Sequence, residues 1–211
     1  MTKNVHELRI PGRATTAGRS TSVTAAFAGA ILPRSEPDYT QKISALTILR
    51  IDPSDVKCAY CGDQASEWDH FRPTVVDQTP TGWRTEIGNL VPSCGGCNQS
   101  KGNKNWKEWM SGNARLSPAN RGVPDLEQRI KLLERFEREF QPERIDLQQF
   151  QEKLLWKQYW ALRDEIINKL RSGDEIAQQL HQIILERAKV VEADADCADI
   201  IPLGATVSEG D

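Results

Sequence analysis

Two cysteine pairs with the same spacing, Cys58-Ala59-Tyr60-Cys61 and Cys94-Gly95-Gly96-Cys97, constrain this chain more than any other feature. Four thiolates in two C-x-x-C pairs suit a tetrahedral zinc ion, with Zn–S distances of about 2.3 Å in closed structural sites. Each pair can sit on a tight turn, so two loops converge on one metal. The competing readings are a disulfide pair or a redox motif. A redox motif needs a single C-x-x-C, and no secretory context favours a disulfide. Cys197 is then a spare thiol, and reduced cysteines are expected.

A zinc knuckle by itself says nothing of catalysis, so the insert between the pairs decides the matter. It reads Glu67-Trp68-Asp69-His70-Phe71-Arg72-Pro73, then a polar stretch with Gly82 and Gly88, then Asn89-Leu90-Val91-Pro92-Ser93, and Asn98-Gln99-Ser100-Lys101-Gly102 follows the second pair. In this order the elements resemble the HNH endonuclease family: C-x-x-C, D-H with an apolar residue and proline close behind, N-L before a second C-x-x-C, then H or N and K. The resemblance covers roughly Lys57 to Met110. Each piece is weak and the set is jointly specific.

The resemblance implies an α+β fold, mainly helical, built on a ββα-metal core. A strand carries Asp69-His70, a hairpin return bears Asn89, and a helix begins near the second cysteine pair. Local composition agrees: Trp68, Phe71 and Val75-Val76 favour extended backbone, and Gln78 to Gly88 carries turn residues. From Gly95 the pattern suits a short helix with Gly102 as its weak point, placing Asn98 and Lys101 on one face. Successive strand residues face opposite ways, so Asp69 and His70 can share a site only at a bend or strand end.

Hydrolysis of a phosphodiester needs an activated water and relief of charge on the phosphate and on the leaving 3′ oxygen. His70 is the candidate general base, because a neutral imidazole with a pKa near ~6.5 takes a proton at physiological pH. By resemblance, Asp69 and Asn98 hold one divalent cation, Mg²⁺ or Mn²⁺, and Asn89 pins two loops and orients the base. An amide at position 98, where other members carry histidine, favours such oxygen-seeking ions over softer ones. Lys101, Arg72, Lys104 and Lys107 are the expected phosphate contacts, Lys101 through the family pattern and the others through their position.

The chain carries a formal charge of −3, but residues 192–211 hold six acidic residues and no lysine or arginine, so the remainder is net positive. That balance is compatible with DNA, expected as a double strand. The acidic end reads as disordered, and Gly12 to Ser22 as a flexible arm. No apolar run approaches a membrane span, and a cytoplasmic address follows by default.

The chain thus divides into an N-terminal arm with short helices (1–52), the zinc-knuckle core (53–112), a helical region (113–191) and the tail (192–211). Short helices are expected over Thr21 to Leu32 and Asp38 to Ile51. Three further helical patterns, Leu126 to Phe140, Asp146 to Gly173 and Ile176 to Val191, predict a C-terminal bundle whose apolar surface closes on itself or builds a homodimer. The implied activity is that of a metal-dependent DNA endonuclease, with a type II restriction enzyme as the favoured subtype and an RNA-directed nuclease as a variant. The alternative is a non-catalytic zinc-stabilised module that binds nucleic acid or protein.

Overall fold

The structure, a computed structural model, describes residues 13–198, with side chains described through residue 188. The described residues form two compact units, 20–164 and the combination of 13–19 with 165–198. The elements are α1 (Ser20–Ile31), α2 (Tyr39–Ile48), β1 (Glu67–His70), β2 (Val75–Val76), β3 (Thr79–Pro80), β4 (Leu90–Ser93), α3 (Gly95–Lys101), α4 (Trp106–Ser111), α5 (Leu126–Glu139) and α6 (Leu154–Ala198). The class is α+β and mostly helical, as expected.

In the larger unit β1 pairs antiparallel with β4, setting Asp69 opposite Val91 and His70 opposite Leu90. The chain then turns at Cys94 directly into α3, which completes the ββα arrangement. The helix stops at Gly102, where φ is +51°, a backbone region that favours glycine. A fresh helix, α4, starts at Asn105, whose side chain accepts hydrogen bonds from the Lys107 and Glu108 amides. The expected weak point is therefore a full break between two short helices.

Between β1 and β4 lies a second, two-stranded sheet. β2 and β3 are joined by Asp77 and Gln78, both at positive φ (48° and 60°), as a two-residue hairpin turn demands. The Gln78 side chain accepts from Thr24 and donates to Thr21, tying the hairpin tip to α1. A small apolar cluster of Ala28, Leu32 and Val75 seals this contact.

The main core gathers Tyr60, Phe71, Val91, Cys97, Trp106, Trp109, Met110, Leu133 and Phe136. Phe71, next but one after Asp69, stacks on Trp106 of α4 and meets Phe136 of α5 edge-on. α5 is thus part of the core of this unit. α2 begins at a reciprocal cap in which Asp38 accepts from the Gln41 amide and the Gln41 side chain accepts from the Asp38 amide.

The C-terminal expectation needs correction: the second and third helical patterns are one continuous helix, α6, running through Gly173. A glycine inside a helix costs about 1 kcal/mol, too little to break a long amphipathic run. With two patterns merged and α5 absorbed in the core, the three patterns do not make a separate three-helix bundle. In the smaller unit, Thr16 donates from its amide to the Asp174 carboxylate (2.6 Å) and from its hydroxyl to the Leu170 carbonyl (2.6 Å). Arg13 donates to the Ala177 carbonyl. The stretch expected to be a flexible arm is therefore fastened along α6 from Arg13. The helix backbone also runs through the first residues of the expected disordered tail, 192–198; residues 199–211 lie outside the described residues. Among the described residues no helix is long and apolar enough to cross a membrane.

Candidate active site

The two cysteine turns come together as their spacing requires. The Sγ atoms of Cys58, Cys61, Cys94 and Cys97 all lie within 4.8 Å of one another, and Cys61 and Cys94 are 3.7 Å apart. Tetrahedral Zn–S bonds of about 2.3 Å imply S–S edges of about 3.8 Å, so the donor set fits zinc in chemistry and in size. Four thiols this close cannot all ionise by themselves. Hydrogen bonding to Cys58 first, then burial, push Cys61 up to about 12 against the opposing hydrogen bond with Cys97, and hydrogen bonding to Cys58 and then Cys61, with burial, pushes Cys97 far above its ordinary value. A divalent cation is what permits four thiolates here. Arg121 donates to Cys97 Sγ and to the Asp63 carboxylate, bringing a further positive charge to the cluster.

The knuckle is attached to the sheet on both sides. The Ala59 amide donates to the Pro92 carbonyl of β4 (2.8 Å), and the hydroxyl of Tyr60 donates to Oδ2 of Asp69 on β1 (2.7 Å). Tyr60 is fully buried; burial first, and then the charge of Asp69, hold its phenol well above its usual pKa, so it remains a donor. The metal site and the candidate catalytic strand are therefore joined by one hydrogen bond from inside a C-x-x-C turn.

Asp69 points inward. The ammonium of Lys101 lies 3.1 Å from its Oδ2 and 3.4 Å from its Oδ1, and it also donates to the carbonyls of His70 (2.9 Å) and Gly102 (3.1 Å). Burial pushes the carboxyl up and the ammonium down, while their mutual attraction opposes both shifts. Lys101 was expected to reach a substrate phosphate, but its side chain has 0 % exposure. In this structure it is the internal counter-ion of Asp69 and a clamp on the end of β1.

His70 is the last residue of β1, the strand end that the sequence required. Its ring is half-buried and its Nε2 lies 2.9 Å from the Thr85 hydroxyl. With Nε2–H donating to Thr85, Nδ1 carries the free lone pair. Burial first, then the charges of Lys101 and Arg34, lower the imidazole pKa and favour the neutral ring. Thr85 escaped sequence reasoning because a lone threonine in a polar loop carries no motif.

Asn89, fully buried, lies in the short 3-10 turn ahead of β4. Its Oδ1 accepts from the Arg72 amide (2.7 Å), and its Nδ2 donates to the carbonyls of Arg72 and Arg84 (3.0 Å each). It thereby ties the backbone two residues after His70 to the residue just before Thr85. Asn98 lies on α3 one turn ahead of Lys101, half-buried, and its side-chain amide makes no hydrogen bond among the described residues.

The remaining expected phosphate contacts are mostly committed elsewhere. Arg72 pairs with Glu137 (2.9 Å) and stacks over Trp83, and Lys107 pairs with Glu134 (2.6 Å). Lys104 is exposed, with its ammonium on the Ser100 carbonyl (2.8 Å).

Comparison with curated proteins and with solved structures yields no match. The family model described as HNH endonuclease matches residues 58–104, a span that runs from the first zinc-turn cysteine to just past α3. That span folds as two antiparallel strands and a helix around a tetracysteine cluster, so residues 58–104 fit an HNH-type domain of the ββα-metal fold.

Proposed function

We propose that the chain is a metal-dependent DNA endonuclease with His70 as general base. The observation that carries this reading is the placement of His70: its Nε2 is engaged by Thr85, its ring is held neutral by burial, and it stands at the strand end beside Asp69. Nδ1 takes the proton of a water whose oxygen attacks phosphorus, and the P–O3′ bond breaks, leaving 5′-phosphate and 3′-hydroxyl ends. Thr85 orients the ring through Nε2 and leaves Nδ1 unengaged. Asn89 holds the backbone on either side of that contact.

The residues fit a hard divalent cation, Mg²⁺ or Mn²⁺. Asn98 offers an amide oxygen without a competing partner, and Asp69 offers Oδ1, whose contact with Lys101 is long at 3.4 Å. Such an ion, when bound, supplies Lewis acidity at the phosphate and neutralises the leaving oxygen. Lys101 keeps Asp69 ionised in a buried setting and holds the His70 carbonyl, so both residues keep their relative positions.

Double-stranded DNA is the favoured substrate and restriction the favoured role. α6 exposes Ile176, Leu180, Ile183 and Ile184, which supports a homodimer that cuts both strands. The second reading, a non-catalytic zinc module, draws support from the Asp69–Lys101 pair, which already gives the carboxylate a cation.

Plasmid nicking in Mg²⁺ or Mn²⁺ separates the two. The nuclease reading expects nicking by the wild type and its loss in His70→Ala, with zinc content and melting temperature unchanged. A zinc-loaded, folded wild type that leaves plasmid intact in both metals supports the binding module instead.

A further inference from the structure

Of the cations expected at the phosphate, Lys101 lies in a buried ion pair and Arg72 and Lys107 each face a carboxylate, which raises the question of what meets the substrate backbone at His70. The segment after α1 answers it. Arg34 forms a parallel bridge with Thr85, and the Ser35 amide donates to the Thr85 carbonyl (2.8 Å). Thr85 is the residue whose hydroxyl holds His70 Nε2. Bridged backbones run about 4.8 Å apart, so Arg34 stands one backbone spacing from the residue that orients the base. The segment is anchored: Ala28 and Leu32, just upstream, are packed against Val75 of β2.

We propose that Arg34 is a phosphate contact of the nuclease site, a residue from outside the matched HNH segment that binds the DNA strand presented to His70. This rests on the nuclease reading for the identity of the strand at His70. The guanidinium is available. Lys101, Arg72, Arg84 and Lys107 are each paired with a carboxylate of the fold, namely Asp69, Glu137, Glu143 and Glu134. Arg34 has Glu36 as its acidic partner at 3.2 Å, with side-chain exposures of 68 % and 82 %. An exposed pair of this kind is weak, and a phosphate can replace the carboxylate. The planar fork of arginine suits two phosphate oxygens at once. Its charge also reaches the His70 ring, whose pKa it helps to lower.

The test is the affinity for a short DNA duplex in Ca²⁺ over a range of salt, for wild type, Arg34→Ala, Arg34→Lys and Glu36→Gln, with zinc content and melting temperature as checks on folding. Loss of one phosphate contact predicts about tenfold weaker binding in Arg34→Ala and a salt slope lower by about one. Arg34→Lys restores most of the affinity. Glu36→Gln frees the guanidinium and tightens binding severalfold in the wild type, with no effect in the Arg34→Ala background. Equal affinity and equal salt slope for wild type and Arg34→Ala overturn the proposal, and so does a wild type that fails to bind duplex. Parallel cleavage assays in Mg²⁺ keep the two readings apart. Arg34-dependent binding without cleavage overturns the nuclease and upholds the phosphate contact, whereas cleavage with Arg34-independent binding overturns the contact alone.

Discussion

The ammonium of Lys101 lies 3.1 Å from Oδ2 of Asp69, with side-chain exposures of 0 % and 5 %. The two residues come from α3 and β1, so the pair fastens the helix to the strand that carries the candidate base. Removing one partner leaves a buried charge uncompensated, which costs about 3–5 kcal/mol. Lys101→Met should destabilise the protein by that amount in chemical denaturation, and pairing it with Asp69→Asn should recover a large share. Additive losses in the double-mutant cycle would mean that the two side chains are not coupled.

Thr85 has a role that can be isolated from folding. It is half-buried, and its hydroxyl is the hydrogen-bond partner of His70 Nε2. Thr85→Val keeps the shape and removes the hydroxyl, so the imidazole loses the hydrogen bond that orients it. Single-turnover nicking should slow by about 10- to 100-fold, the range seen when a supporting partner is removed, while the melting temperature moves little. An unchanged rate would remove Thr85 from the site.

The pH dependence follows from the direction of the His70 shift. Burial, Lys101 and Arg34 all disfavour the protonated ring, so the folded-state pKa lies below the ordinary value near ~6.5. A base must be neutral, so the acid limb of the pH–rate profile should fall below that value. Stability has the same sign: the unfolded chain binds the proton more readily, so this contribution is complete above ~6.5 and is lost as pH falls through the folded pKa. Histidine ring titration by NMR, with His70→Gln for assignment, would reveal an error if the His70 midpoint were at or above the ordinary one.

Zinc should matter beyond the knuckle, because Tyr60 inside the first cysteine turn donates to Asp69. Stripping the metal with a strong chelator should abolish nicking and loosen the fold. Excess Mg²⁺ alone should not restore activity, and zinc returned together with Mg²⁺ should. Metal analysis alongside circular dichroism and nicking checks the order of these losses. Activity retained after zinc is gone would separate the two sites.

Much of the candidate site was legible because its code is local. The two C-x-x-C spacings named four cysteines that the fold gathers into one cluster, Asp69-His70 needed a bend or a strand end and lies at the latter, and Asn98 and Lys101 lie three residues apart on α3. α5 was legible from Leu133 and Phe136 at helical spacing. Spacing does not report where a side chain ends, however. Lys101 sits at the motif position for a phosphate contact, yet α3 packs so closely on β1 that its ammonium finds Asp69 before solvent.

By itself, then, the chain's order of residues determined the four-cysteine cluster and the strand–strand–helix sequence around it, and it singled out His70 as the candidate base, since each depends on neighbours within a few turns or on the two matched cysteine spacings. Tertiary structure decided which charges are free and which are internal, that Thr85 rather than a motif residue engages the His70 ring, that Arg34 arrives beside Thr85 from a distant segment, and that α6 passes through Gly173. Those outcomes depend on contacts between segments far apart in the chain, where burial and pairing are settled by the packing of the whole unit rather than by the period of any one element.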